Sequence, residues 1–141
     1  MIQEDKELLL KDLSARLPYG VICFAPDYEY GDIGKLWCIE PFEDLDPPIT
    51  VQYPKGNTIA KFCSEVKPYL RPMSSMTEEE ESEYNLIQGL SHLDQHWTAN
   101  DGKVYRYADA IDWLNSKHFD YRGLIEKGLA IKVTAENNPY K

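Results

Sequence analysis

The chain lacks any apolar run near the ~20 residues needed to cross a bilayer, and its opening, MIQEDKELLLKDL, carries acids where a secretory leader carries bases. A cytoplasmic protein with no membrane contact is the expectation. It is also poor in cysteine. Cys23, Cys38 and Cys63 are an odd number, widely spaced, with no C-x-x-C pair; that excludes a disulfide framework and the usual zinc spacing, and predicts buried free thiols. A basic excess is missing as well. The net charge is -9, with eight bases against twelve acids up to Ser75 and seven against twelve after it, so neither half suits general phosphate neutralisation and nucleic acid is disfavoured as a partner. No specific catalytic or cofactor motif occurs. No cofactor and no metal are expected, and a non-enzymatic role is favoured over an enzymatic one.

What is there suffices for a fold. With 141 residues, 43% hydrophobic and 28% charged, the chain can form one domain or two small subdomains sharing a core. Leu8, Leu9, Leu10, Leu13 and Leu17 recur at helical spacing among Glu4, Asp5, Lys6, Glu7, Lys11, Asp12 and Arg16, which predicts an amphipathic helix that Pro18 and Gly20 end. The pattern then turns to β-branched and aromatic runs at 21–25, 35–42, 49–53 and 58–66. The breakers between them are Pro26-Asp27, the 31–34 stretch, Asp46-Pro47-Pro48 and the hairpin signal Pro54-Lys55-Gly56-Asn57. Four sequential strands with short turns predict an antiparallel meander, curled or closed into a small SH3-like barrel with the first helix over one end.

The segment KPYLRPMSSMTEEEE, residues 67–81, divides the molecule. Pro68 and Pro72 stiffen it and make it a poor continuation of strand or helix. Tyr69 and Leu70 are too apolar for a solvated tether and read as anchors buried between the two halves. Thr77 and Glu80 make a capping box, with Glu78 and Glu79 in the first turn of a helix to about residue 90 whose buried stripe is Tyr84, Leu86, Ile87 and Leu90. Beyond it come a loop or short hairpin around Asn100-Asp101-Gly102, a helix over 108–116, and a short third helix over 121–127 that Asp120 caps and Gly128 ends. A frayed tail, TAENNPYK, follows. The overall expectation is an α+β protein: a helix and small β subdomain over 1–75 and a helical subdomain over 76–141, together one cooperative unit.

Three anchors, LPYG at 17–20, KPYLRPMSSMTEEEE at 67–81 and HFDYRGLIEKGLAI at 118–131, occur in an order that resembles a family of uncharacterised small proteins of phages and prophage-like elements of gut bacteria. The resemblance implies a mobile-element context and an intracellular site. It implies no activity, and the β region lies outside it.

Candidate sites each have a plainer reading beside the sharper one. His92 and His96 at four-residue spacing echo zinc helices, but Leu93 stands where the general-base glutamate belongs; surface histidines explain the pair. Asp109, Asp112, Asp120, His118 and Arg122 form the densest mixed-charge group, which serves a hydrolase only if carboxylate and histidine converge. Helix capping and ion pairing explain the same residues. Tyr28, Tyr30, Trp37, Phe42 and Tyr53 fall in or beside the strands and either line a binding groove or fill the core. Arg71, with Lys67 and Tyr69, either grips an anionic partner or pins the two halves together. The binding candidates are therefore Tyr28, Tyr30, Trp37, Tyr53 and Arg71, and the structural anchors Tyr69, Leu70, Thr77 and Asp120. Together they point to a phage or prophage accessory protein that binds a protein partner, with a nucleic-acid module and a small hydrolase built on His118 as alternatives.

Overall fold

The structure, a computed structural model, describes residues 1–40, 47–91, 96–98 and 104–141, and the side chains of all of these except 89–91, 96–98 and 104–108. Helix α1 (Gln3–Arg16) opens on Glu4 and Asp5 and runs into a single 3-10 turn, Leu17–Tyr19, with Pro18 inside it and Gly20 after it. Its inward face carries Leu9 and Leu13, and between them in helical register the fully buried Asp12 and Arg16. The two charged residues lie on the buried face of the helix, not on its solvated one.

Strands β1 (Ile22–Asp27), β2 (Gly31–Ile39), β3 (Ile49–Gln52) and β4 (Thr58–Lys61) form the antiparallel meander. The 31–34 stretch, expected as a breaker, is the start of β2. Gly34 is needed there because a Cβ would lie 2.4 Å from Val51 Cγ1 and 2.8 Å from the Gln52 carbonyl oxygen; only hydrogen lets β2 and β3 approach so closely. Phe42, placed by sequence in the second strand, lies outside the described residues.

The expected four-stranded barrel is instead part of an open mixed sheet of seven strands, in the order β4-β3-β2-β1-β5 (Lys67–Pro72)-β8 (Phe119–Asp120), with β9 (Ile131–Lys132) also on β5. The added strands explain the difference. KPYLRP is itself strand β5 (Lys67–Pro72), antiparallel to β1 through Cys23 opposite Pro68 and Phe24 opposite Lys67. It then runs parallel to β9 (Ile131–Lys132) and to β8 (Phe119–Asp120). The two prolines do not abolish the strand because the residues between them carry its hydrogen bonds. Arg71 N–H donates to the His118 carbonyl at 2.8 Å, and the Leu70 carbonyl accepts from Val133 N–H at 2.9 Å. β4, the outer edge, is guarded by Lys61, which points inward, 7% exposed, to the Pro26 carbonyl at 3.1 Å and Asp27 at 3.3 Å. An inward charge of this kind opposes pairing with a further strand.

Thr77 and Glu80 make the reciprocal capping box at α2 (Glu78–Ser91): the Glu80 amide donates to Thr77 Oγ1 and the Thr77 amide to Glu80 Oε1, both at 3.1 Å. Within α2, Ile87 is buried and Tyr84 half-buried, whereas Leu86, expected on the same stripe, faces solvent. A two-stranded ribbon, β6 (His96–Thr98) with β7 (Val104–Arg106), precedes α3 (Tyr107–Ser116). The turn signal at 100–102 falls outside the described residues.

The third helix expected over 121–127 is a run of turns. Its end is a Schellman closure, Leu129 N–H to the Leu124 carbonyl at 2.9 Å and Gly128 N–H to the Ile125 carbonyl at 3.1 Å, with Gly128 left-handed at φ 74°. Asp120 caps these turns with both carboxylate oxygens, each 2.9 Å from an amide, of Leu124 and of Ile125.

Two hydrophobic clusters result. The larger joins Leu9 and Leu13 to the inner sheet residues Val21, Cys23, Leu36, Ile49, Val51 and Tyr53, and to Leu70, Leu124 and Leu129. The smaller joins Ile87, Ala110, Trp113, Leu114 and Phe119, with Trp113 stacked between Tyr84 and Phe119 at centroid distances of 5.6 and 5.8 Å. β5 links them: Leu70 sits in the first cluster, and the Arg71 guanidinium lies 4.2 Å over the Phe119 ring of the second. Each large aliphatic side chain so buried contributes ~1.5–3 kcal/mol, and residues from both ends of the chain share the larger cluster.

Candidate functional site

Strand alternation sends buried residues to the inner face and their neighbours outward. Register and exposure place Ile22 and Phe24 of β1, Ile33, Lys35 and Trp37 of β2, Thr50 and Gln52 of β3, Thr58 and Ala60 of β4, and Lys67 of β5 on the outward face. None of these positions is acidic, although the chain has 24 acids against 15 bases. The register shift between Leu36 and Cys38 makes Trp37 the one extra, unpaired residue of β2 against β3, and such a bulge re-aims the side chain at its crest. Trp37 is 51% exposed and Ile33, two positions along the same face, 41%.

Beside them lies a groove of about 500 Å³, walled by Ile22, Ile33, Gly34, Pro54, Gly56 and Pro139, with Lys35, Gln52 and Tyr53 completing it. Lys35 stands directly opposite Ile22 on one side and Gln52 on the other. Its stem passes Gly20, where a Cβ would lie 3.5 Å from Lys35 Cε. Among the described residues, neither Lys35 nor Gln52 has a side-chain hydrogen bond or ion pair.

Charge on the opposite side of the sheet is handled differently. Asp12 accepts from Arg16 Nε at 2.7 Å and Nη2 at 3.1 Å, and Arg16 Nη2 also donates to the Phe119 carbonyl at 2.6 Å. Arg122 Nε approaches Asp12 to 3.3 Å, close enough for an ion pair but not aligned as a hydrogen bond. Both guanidinium groups lie over the Tyr121 ring, at 5.2 and 5.0 Å. Burial pushes the Asp12 carboxyl up, against the pull of Arg16 and then Arg122.

His118 stands at the turn out of α3 with φ 65°, a left-handed angle uncommon outside glycine. Its ring stacks on Tyr140 at 3.8 Å with a 9° tilt. Burial, then the fields of Arg16 and Arg71, bring its pKa down to about 4, so it is neutral at physiological pH. The Tyr140 hydroxyl donates to the Tyr69 carbonyl at 2.7 Å and accepts from Ile22 N–H at 3.1 Å. It thus bridges β5 and β1 one step beyond their last paired residues. The tail expected to fray is fastened here.

The structure does not bring the five sequence-derived binding candidates together. Tyr28 stands fully in solvent at the β1–β2 turn, and Tyr30 packs on Tyr53 at 6.0 Å. Tyr53 is 2% exposed and its hydroxyl donates to the Ala25 carbonyl, so it forms the floor of the groove and not a free ring. Arg71 is engaged by Glu80 at 2.8 and 2.7 Å and by the Ser75 carbonyl at 3.3 Å. That pairing, ahead of the Thr77 amide, draws the Glu80 carboxyl down to about 2. Trp37 alone of the five is an exposed ring on the sheet face. The anchors Tyr69 and Leu70 are buried. The hydrolase acids do not converge, since both Asp120 oxygens are held by backbone amides and Asp112 faces solvent. His92 and Asp94 lie outside the described residues, as does the His96 side chain.

Sequence reasoning missed Ile22, Ile33, Lys35 and Gln52. The usable signal was the alternation at 33, 35 and 37, hidden because Gly31 and Gly34 look like punctuation. It also missed the buried Asp12–Arg16 pair, although 9, 12, 13 and 16 fall on one helix face.

Together these features define an α+β protein with an open mixed sheet, an outer face whose strand positions carry no acid, and a buried ionic seam. No family model, curated protein or solved structure matches the chain. No helix among the described residues is long and apolar enough to cross a membrane.

Proposed function

We propose that this is a non-enzymatic phage or prophage accessory protein that binds a protein partner through the outward face of β1–β4. One observation carries the reading: Trp37 and Ile33 are exposed together on a face whose outward strand positions carry no acid, in a chain whose net charge is -9. Exposed apolar groups are informative as a patch, and tryptophan is among the side chains that most often dominate binding energy. The inward Lys61 disfavours the β4 edge as an alternative docking route. The non-enzymatic part is supported by the occupied state of the acids: Asp12 is held by Arg16, Asp120 by amides.

The test uses the wild-type chain and Trp37→Ala as parallel baits in lysate of the cells that express the gene. A partner retained by the wild type and lost by the variant is the expected result. A wild-type bait that recovers only itself counts against the proposal.

A nucleic-acid partner is the second reading, favoured by Lys35 and Lys67 being the charged groups of this face. Affinity that falls steeply between about 50 and about 200 mM salt would mark it, because phosphate contacts release counterions. A hydrolase on His118 has the least support, with that ring stacked beneath Tyr140.

A further inference from the structure

We infer that the groove beside Lys35 receives the C-terminal residue of the partner protein, its carboxylate on Lys35 and Gln52 and its apolar side chain between Ile22, Ile33, Pro54 and Pro139. The inference rests on the sheet-face reading and names the part of the partner that the face reads.

Lys35 and Gln52 are directly opposed across β2 and β3, a pairing that sets their Cβ atoms ~5 Å apart. The Lys35 ammonium rests near Gly20, 3.9 Å from where a Cβ there would stand, and its flexible stem lets it swing toward Gln52, so that ammonium and carboxamide together offer two donors to the two oxygens of one carboxylate. Neither is occupied by another described residue. None of the residues paired with them across the strands is acidic. The remaining wall is apolar, and about 500 Å³ holds a large side chain with room to spare.

A chain terminus satisfies both halves with one residue, since its carboxylate and side chain leave the same Cα. An internal Asp or Glu supplies the carboxylate but no apolar group at that position. Pro139 gives the groove its far wall, and the adjoining Tyr140 fixes that wall through its bonds to Ile22 and Tyr69.

The probe is the short peptide acetyl-Gly-Ser-Gly-Leu as the free acid, its C-terminal amide, and an amidated peptide with an internal Leu-Glu pair. Each is titrated into the ¹⁵N-labelled full chain. The free acid should shift the amide signals of Lys35, Gln52 and Gly56 and saturate at roughly millimolar concentration or below. The amide and the internal-glutamate peptide should bind about ten-fold more weakly. Lys35→Met keeps the aliphatic stem and should erase the preference for acid over amide while leaving the thermal midpoint unchanged. Equal binding of acid and amide, shifts centred away from the groove, or no saturation in that range would overturn the inference. A partner whose capture needs Trp37 but survives carboxypeptidase trimming overturns it too, while leaving the sheet-face proposal intact.

Discussion

The outward face of β1–β4 and the seam between α1 and β8 treat charge in opposite ways. In the seam, Asp12 and Arg16 are wholly buried and locked to each other, with Arg122 and the Phe119 carbonyl filling out the set. On the face, Lys35 and Gln52 stand unengaged among Ile22, Ile33 and Trp37. A buried ion must be paired or it costs several kcal/mol, whereas an exposed one costs little to leave free. The buried ionic cluster is therefore structural, and the sparse strand face is where a ligand finds open groups.

The contrast breaks most visibly at Asp12. Asp12→Ala leaves the buried Arg16 guanidinium, and the partly exposed Arg122 beside it, without their carboxylate and should lower stability by ~3–5 kcal/mol in urea unfolding, where a single transition is expected of the wild type; a loss under ~1 kcal/mol would mean the seam is wetter than its burial implies.

Acid titration gives the next largest effect. The folded-state pKa of His118, about 4, lies below its ordinary 6.5, so its neutral form is favoured by folding. Stability is intact above the ordinary value and falls as pH drops towards the lower one, by about 2 kcal/mol between about pH 7 and about pH 5. His118→Asn keeps a residue tolerant of the left-handed angle and should flatten that slope. Glu80, drawn down to about 2 by Arg71, adds its own loss only below its ordinary 4.5, outside that window. An unchanged slope in the variant would reassign the effect.

Tyr140→Phe removes one hydroxyl that serves two backbone groups, and should cost ~1–2 kcal/mol while speeding hydrogen exchange at the Ile22 amide. Exchange unchanged there would show that the bridge is not maintained in solution. Smallest of all, Trp37→Ala should move the unfolding free energy by no more than ~0.5 kcal/mol, despite abolishing partner capture. A large stability loss would place Trp37 with the core instead of the face.

Much of the fold was legible because it is local. The α1 leucines, the capping box at Thr77 and Glu80, the Pro54–Asn57 hairpin and the left-handed Gly128 each announce themselves within a few residues. The site was far less legible. Trp37 could be named, but whether it or Tyr53 faced inward depended on a one-residue register choice, and a single slip exchanges the two faces. Arg71 could be read as a grip for an anionic partner or as a pin between the halves, and only the structure shows that Glu80, nine residues on, meets it.

The sequence alone determined the presence of α1, α2 and α3, the four-strand meander order and the acid excess, since propensity, turn chemistry and charge act over short separations. Only the tertiary structure decided that KPYLRP is a strand, that Asp12 and Arg16 are interior, and that Tyr140 fastens the tail. Each depends on partners far along the chain: β5 on β8 and β9, Arg16 on Phe119, Tyr140 on Ile22 and Tyr69. Long-range hydrogen bonds and burial can overrule local preference, here the reluctance of proline to extend a strand, because satisfying a buried polar group outweighs a propensity of ~1 kcal/mol.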